Sequence, residues 1–299
     1  MKKFLIETIL FLAIIIVSVY LVFLQANGKS DPFYSKTTSP KQTSLILGTS
    51  KAAQGLIPEI LHPYLQKNIY NFSFTVAHSP FGPTYLNAIQ KKIEPNTKNG
   101  IFIITIDPWS ISSDGADPNN EYQFDEAKSF MGTISSFSSN PNVSYLLNSF
   151  DDNYIKILIN FSLMEVHSDG WLEVFPPMDS IAIENKIAEK ILEHTLKLEK
   201  FQFSKTRFEY LKKTIEILKN HGKVYLVRLP VCPEITKIEA ELIPDFDLKI
   251  NDLANEEELL YLNLINSGTK FTFIDGIHLS KDSAKEVSRK VGEWIFETN

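Results

Sequence analysis

Cysteine is all but absent from this chain: Cys232 stands alone, so no intramolecular disulfide can form and no cysteine-based zinc site can be built. A glycine-rich phosphate loop is missing too. Gly48 has no glycine neighbours at the required spacing, and neither G-x-x-x-x-G-K-[ST] nor G-x-G-x-x-G occurs, which argues against nucleotide use. Positive charge is not in excess. The formal net charge of -6 speaks against a general binder of nucleic acid or acidic membrane, which needs a basic surface. The basic residues of 197–213 are interleaved with Glu and apolar residues and read as solvated helix faces. There is no internal repeat and no low-complexity tract. With 43% apolar and 22% charged residues the chain reads as folded, with room for one large or two ordinary domains.

One long apolar run is present. Residues 4–24 are apolar except for Glu7, Thr8, Ser18 and Tyr20. At about 1.5 Å per helical residue this run crosses a hydrocarbon core of about 30 Å. Lys2 and Lys3 precede it, so the positive-inside rule puts the N-terminus in the cytoplasm and the rest of the chain outside. A cleaved signal peptide is the competing reading, but Leu24-Gln25-Ala26 is a poor match to an A-x-A-like site. The expected organisation is a membrane anchor at 1–26, a polar stalk at 27–43 and a folded domain at 44–299.

Within that domain the pattern alternates. Residues 44–48 form an apolar run ended by glycine, and 52–65 carry apolar residues at helical spacing despite Pro58 and Pro63. Residues 68–74 and 100–106 read as further strands, with a helix at 83–92 between them. Residues 107–179 are rich in Ser, Asn and Asp, too long for an ordinary loop, and read as an insertion. Helices are expected at 180–198, 204–221, 256–265 and 281–296, with strands at 223–229 and 271–274. The fold class predicted is α/β: a three-layer α/β/α domain with a parallel five-stranded sheet, flavodoxin-like, plus one N-terminal transmembrane helix.

Two strand ends carry the candidate chemistry. Gly48-Thr49-Ser50 follows the first strand and opens a helix, whereas Asp275-Gly276-Ile277-His278 follows the last strand and precedes the terminal helix. In a parallel sheet such ends converge on one edge, where active sites collect. A serine hydroxyl needs a base within hydrogen-bond reach, and the base needs an orienting group. The assignment is Ser50 as nucleophile, His278 as general base and then acid, and Asp275 as orienter. The plainer alternative makes Ser50 a helix cap and the other two turn decoration.

These motifs, in this order, resemble the SGNH or GDSL-like hydrolases and acyltransferases. The likeness is to the membrane-anchored branch that includes proteins of D-alanyl-lipoteichoic acid biosynthesis and alginate acetylation. Gly48-Thr49-Ser50 matches the first block, G-[DST]-S, and Asp275-Gly-Ile-His278 the more specific last block, D-x-x-H. The match spans residues 44–296. The middle blocks depart from the pattern. Val76 stands where block two has glycine, and 106–109 reads Ile-Asp-Pro-Trp, without the asparagine of block three. A backbone N–H of Val76 or a neighbour is then the candidate oxyanion donor. Asp107 would repel an oxyanion, so its expected work is to position the loop or bind a polar substrate group. Trp109, like Tyr85, is a candidate for the mouth of the site.

The resemblance implies an extracytoplasmic serine esterase or O-acyltransferase of the bacterial cytoplasmic membrane. It would act on envelope carbohydrate or acyl esters without metal or organic cofactor, beside a membrane acyl-donor protein. The alternative is a catalytically silent SGNH-like subunit that binds or assembles envelope polysaccharide.

Several other residues remain to be weighed. His78, in the loop after the second strand, is a candidate for substrate contact. His167 with Asp169 resembles part of a metal site but lacks a third ligand in register, so an exposed turn is the better reading. Surface placement suffices for His62, His194 and His221. Cys232 reads as a buried small hydrophobe. The triplets beginning at Asn71, Asn142 and Asn160 fit a glycosylation pattern that arises often by chance.

Overall fold

The computed structural model describes residues 1–150, 152–159, 162–175 and 179–298. Three apolar runs make the centre: β1 (Leu45–Leu47), then, beyond the short β2 (Tyr70–Asn71), β3 (Gly100–Thr105) and β4 (Gly222–Arg228). Successive side chains of a strand face opposite sides. Leu45, Leu47, Phe102, Ile104, Val224 and Leu226 accordingly join one apolar cluster, while Ile46, Ile101, Ile103, Tyr225 and Val227 join another. Both faces must then be covered, which is the condition of a parallel sheet. With β5 (Leu260–Asn263) at the far edge, the order is β2-β1-β3-β4-β5 and every pairing is parallel.

The longer helices, with one short helix after β1, are α1 (Lys2–Phe23), α2 (Ser50–Gly55), α3 (Pro58–Leu65), α4 (Pro83–Lys92), α5 (Ser180–Lys197), α6 (Lys205–Lys219), α7 (Pro233–Leu242), α8 (Phe246–Glu256) and α9 (Lys281–Glu297). Helices α2, α3 and α9 cover one face, with Ala284, Val287, Val291 and Ile295 of α9 buried as one stripe. Helices α4, α6 and α8 cover the other. The three-layer α/β/α reading therefore holds.

Helix α1 has a mean hydropathy of 2.7 and buries only its last residue, Phe23. It fits a single-pass anchor or a signal sequence.

Three local expectations differ from the structure. Residues 260–263, expected in a helix, are the edge strand β5, because Tyr261 and Leu262 pack on opposite faces of the sheet and Glu258, at φ 55°, turns the chain out of α8. Residues 271–274 are not in the sheet. That stretch folds back on itself through a Phe273–Leu279 bridge, with Ile274 N donating to His278 O at 2.9 Å. The supposed stalk is partly built into the domain. Residues Tyr34–Thr38 form a short helix that buries Tyr34, Lys36 and Thr37. Its buried lysine is satisfied internally: Lys36 Nζ donates to Ser73 O at 2.6 Å, and Lys36 O accepts from Lys92 Nζ at 3.0 Å.

The insertion also adds to the core. Its short helices Phe130–Thr133 and Val143–Asn148 bury Phe130, Met131, Tyr145 and Leu146, and Met164–Val166 pairs with Leu172–Val174 as an antiparallel ribbon. Residues 151, 160–161 and 176–178 of it lie outside the described residues, and with them the Asn160 triplet. Asn71 and Asn142 are buried, which removes them as glycan acceptors in the folded chain.

Asn71 does structural work instead. Its Nδ2 donates to Ala52 O at 2.8 Å and Leu56 O at 2.9 Å at the end of α2; Ala52 O also accepts from Leu56 N at 3.1 Å, whereas the buried Leu56 O, past the last helical residue, relies on the Asn71 amide. Replacing Asn71 by Ala leaves the buried Leu56 O without that donor. Denaturant unfolding followed by tryptophan fluorescence should find Asn71→Ala about 1–3 kcal/mol less stable, with an unchanged denaturant slope; wild-type stability would refute this role.

Candidate active site

The C-terminal ends of β1 and β3 meet where the strand order reverses, which is where open α/β sheets bind ligands. Gly48 ends β1 at φ +146°, a backbone angle that side chains rarely tolerate, and a Cβ there would lie 1.9 Å from Thr105 Oγ1. The tight turn delivers Ser50 to the first position of α2. On the other side, Asp275 Oδ1 accepts from Ile277 N at 3.1 Å and His278 N at 2.8 Å, closing a turn over Gly276 at φ +86°. Cys232 N donates to Gly276 O at 2.8 Å and holds that turn down.

The structure brings Ser50, His278 and Asp275 into one hydrogen-bonded chain. His278 Nδ1 lies 2.7 Å from Asp275 Oδ2, and His278 Nε2 lies 2.8 Å from Ser50 Oγ. Burial alone would raise the Asp275 pKa. The bond and charge of His278 and the two backbone N–H donors outweigh it and hold the carboxyl at about 2. The carboxylate is thus ionised and can only accept, so Nδ1 carries the proton. In the neutral ring Nε2 is then the acceptor and Ser50 Oγ–H donates to it. This is the tautomer a serine nucleophile requires.

Ser50 and His278 open on a cleft of about 430 Å³ that Val76, Asp107, Trp109 and His194 also line. Its walls are mainly apolar, with Phe33, Met164, Leu172, Val174, Phe201 and Ile277 contributing. Asp107 is committed to the protein. Oδ1 accepts from Ser110 N at 3.0 Å, and Oδ2 accepts from Thr49 Oγ1 at 3.2 Å and lies 3.5 Å from Lys51 Nζ. Its observed contacts are those of loop positioning. Trp109 is buried against His194, ring centroids 4.8 Å apart, and its Nε1–H has no hydrogen-bond partner among the described residues.

His78 is placed elsewhere. It packs between Phe33 and Phe130, its Nδ1 2.7 Å from Thr75 Oγ1, and lines a separate cavity of about 510 Å³. Burial lowers its pKa to about 4. Tyr85 is fully buried rather than at the mouth: its hydroxyl donates to Phe72 O and accepts from Gly48 N at 3.2 Å, supporting the turn before Ser50. His167 pairs with Glu173 at 2.9 Å, not with Asp169, and stacks on Trp171. Among the described residues no cluster of three or more His, Cys, Asp or Glu is set to hold a metal.

Two cleft residues escaped the sequence reading. His194 is buried rather than on the surface, its pKa lowered to about 4 by that burial. The signal was available, because Ile187, Ile191, His194 and Leu198 recur at helical spacing and mark the inward face of α5. Lys51 had no such signal. Burial alone would lower its pKa, but Asp107 and Glu239 raise it above the ordinary lysine value and keep it charged.

No protein-family model matches the chain, and no curated protein matches it.

The low pKa of Asp275 sets a pH dependence. A carboxyl depressed in the folded state adds stability that is complete above its unfolded pKa, near 4, and vanishes as pH falls through about 2. Its contribution is on the order of 2 kcal/mol. Acid unfolding of wild type and Asp275→Asn should therefore diverge above about pH 4 and converge near pH 2. Parallel curves would remove the Asp275–His278 bond as a source of stability.

Proposed function

We propose that this domain is a serine-dependent esterase or O-acyltransferase, anchored by α1 with the domain on the outer side of the cytoplasmic membrane. The observation that carries the reading is the relay Ser50 Oγ to His278 Nε2 and His278 Nδ1 to Asp275, at 2.8 and 2.7 Å, opening on a cleft. Ser50 Oγ attacks the acyl carbonyl while His278 takes its proton, and the imidazolium so formed is stabilised by the Asp275 carboxylate. His278 then gives that proton to the departing alkoxide, leaving an acyl ester on Ser50. Water or an acceptor hydroxyl, deprotonated by His278, attacks this ester and regenerates Ser50. Apolar walls disfavour free water beside the ester and so favour transfer over hydrolysis. The backbone around Val76, which lines the cleft, is the donor at hand for a polar substrate group.

The sheet order and the triad's placement support the SGNH likeness. From that likeness come the further proposals of envelope carbohydrate or acyl esters as substrates, and of a membrane acyl-donor protein as partner. A second reading, a silent binding subunit, draws on Asp107, which stands where the family pattern places the oxyanion asparagine.

Covalent labelling of the full chain with a fluorophosphonate probe separates the two. Wild type should label, and Ser50→Ala and His278→Ala should not. Asp275→Asn should label slower by about 10²–10⁴-fold, since the ring loses its orienting acceptor. Folded wild type that fails to label would favour the binding subunit, and labelling that survives Ser50→Ala would remove Ser50 as nucleophile.

A further inference from the structure

The insertion carries an apolar surface that the triad does not use. In the short helix Ile155–Ile159, Ile157 is buried, but Ile155, Leu158 and Ile159 face outward at 54, 51 and 64% exposure. Leu163 follows at 66%, and Phe175, 46% exposed, lies beside it, with Phe175 N donating to Leu163 O at 2.9 Å. Residues 155, 158 and 159 share one helical face, while Lys156 pairs with Asp152. A cluster of large apolar side chains this exposed marks an interaction surface.

Its place in the fold identifies the partner. The surface is fastened to the exit of α1 at three points. Phe23, the last residue of α1, meets Tyr154 with ring centroids 5.5 Å apart and shares a core cluster with Ile157. Val166 N donates to Gly28 O at 3.3 Å, and Lys29 Nζ lies 3.3 Å from Glu165 Oε1. A spanning helix ends at the edge of the hydrocarbon, and the interfacial layer beyond it is roughly 5–8 Å deep. A surface fastened within one ring contact of that end lies inside this layer.

We infer that Ile155–Ile159, with Leu163 and Phe175, is a second membrane contact, a monotopic segment that beds the domain in the outer interface of the bilayer that α1 spans. The inference rests on reading α1 as a retained anchor and not on the chemistry of Ser50. Apolar side chains on one face and a charged pair beside them are the composition of an interfacial helix.

The test uses the full chain in nanodiscs holding one copy each, with Cys232→Ser as background. An environment-sensitive fluorophore is attached in turn to Ile159→Cys, Leu163→Cys, Tyr20→Cys within α1, and Tyr122→Cys, which is 90% exposed. All four replace exposed side chains, and thermal melting checks that each variant is folded. Lipids with a nitroxide high on the acyl chain should quench positions 159 and 163 several-fold more than position 122, and aqueous iodide should do the reverse. Quenching at 20 with 159 and 163 behaving like 122 would overturn the inference, leaving the surface to a second copy or a protein partner. No lipid quenching at 20 would overturn the anchor reading and this inference with it, while fluorophosphonate labelling of Ser50 would stand independently.

Discussion

Lys51 and Glu239 form an ion pair with almost no access to water, and the edge of the sheet that holds the cleft is organised around it. Lys51 follows Ser50 in the first turn of α2, and Glu239 belongs to α7. The pair extends both ways. Asp107, after β3, lies 3.5 Å from Lys51 Nζ, while Glu239 accepts from Arg228 Nη2 at the end of β4 at 3.0 Å, and Arg228 Nη1 reaches Asp247 of α8 at 2.6 Å. Burying charge costs several kcal/mol per ion, and an apolar pair of equal volume is often as stable. What the ionic chain supplies is position: removing one member strands the rest, at a cost of about 3–5 kcal/mol. It therefore fixes the turn that carries Ser50 against α7 and the loop after β3 in a way that apolar packing, which is non-directional, does not.

The sheet was legible where its physics is local. Ile46 between Leu45 and Leu47, and the unbroken run Ile101–Ile104, need cover on both faces, and that alone implies parallel strands between helix layers. Ser50 was legible from its place after β1 at the edge where open sheets bind ligands, whereas Asp275 and His278 were singled out by their D-x-x-H spacing and not by the sheet strand expected before them, which the structure does not form. What stayed hidden was non-local. Residues 260–263 and 271–274 are both short and apolar, and no residue in either states that the first completes the sheet while the second closes a turn around Asp275. The hydrogen bonds that decide it come from Arg228 and His278. Lys36 misled in the same way: a polar stretch reads as exposed unless its acceptor, here the carbonyl of Ser73, is known in advance.

The insertion connects parts of the molecule that the sheet leaves apart. Its ribbon Met164–Val166 and Leu172–Val174 rests on Gly28 at one end and supplies Met164, Leu172 and Val174 to the cleft wall. Glu173 adds an ion pair to Lys281 in the first turn of α9, close behind His278. The residues leaving α1 and the residues around the triad are thus in contact with the same few strands. A stretch that reads as a long polar interruption supplies both the floor under the end of α1 and one side of the cleft.

Gly48 and Gly276 bracket the triad and contribute no functional group to it. Any missense change in a glycine codon introduces a Cβ, and here that atom would lie 1.9 Å from Thr105 Oγ1 or 3.1 Å from Cys232 Sγ, at backbone angles that L side chains rarely adopt. Val76 and Trp109, which line the cleft, carry no positive φ, so a substitution there changes packing and adds no such backbone strain. The backbone around the site is therefore as constrained as its side chains, and at Gly48 and Gly276 the constraint falls on residues that have no side chain at all.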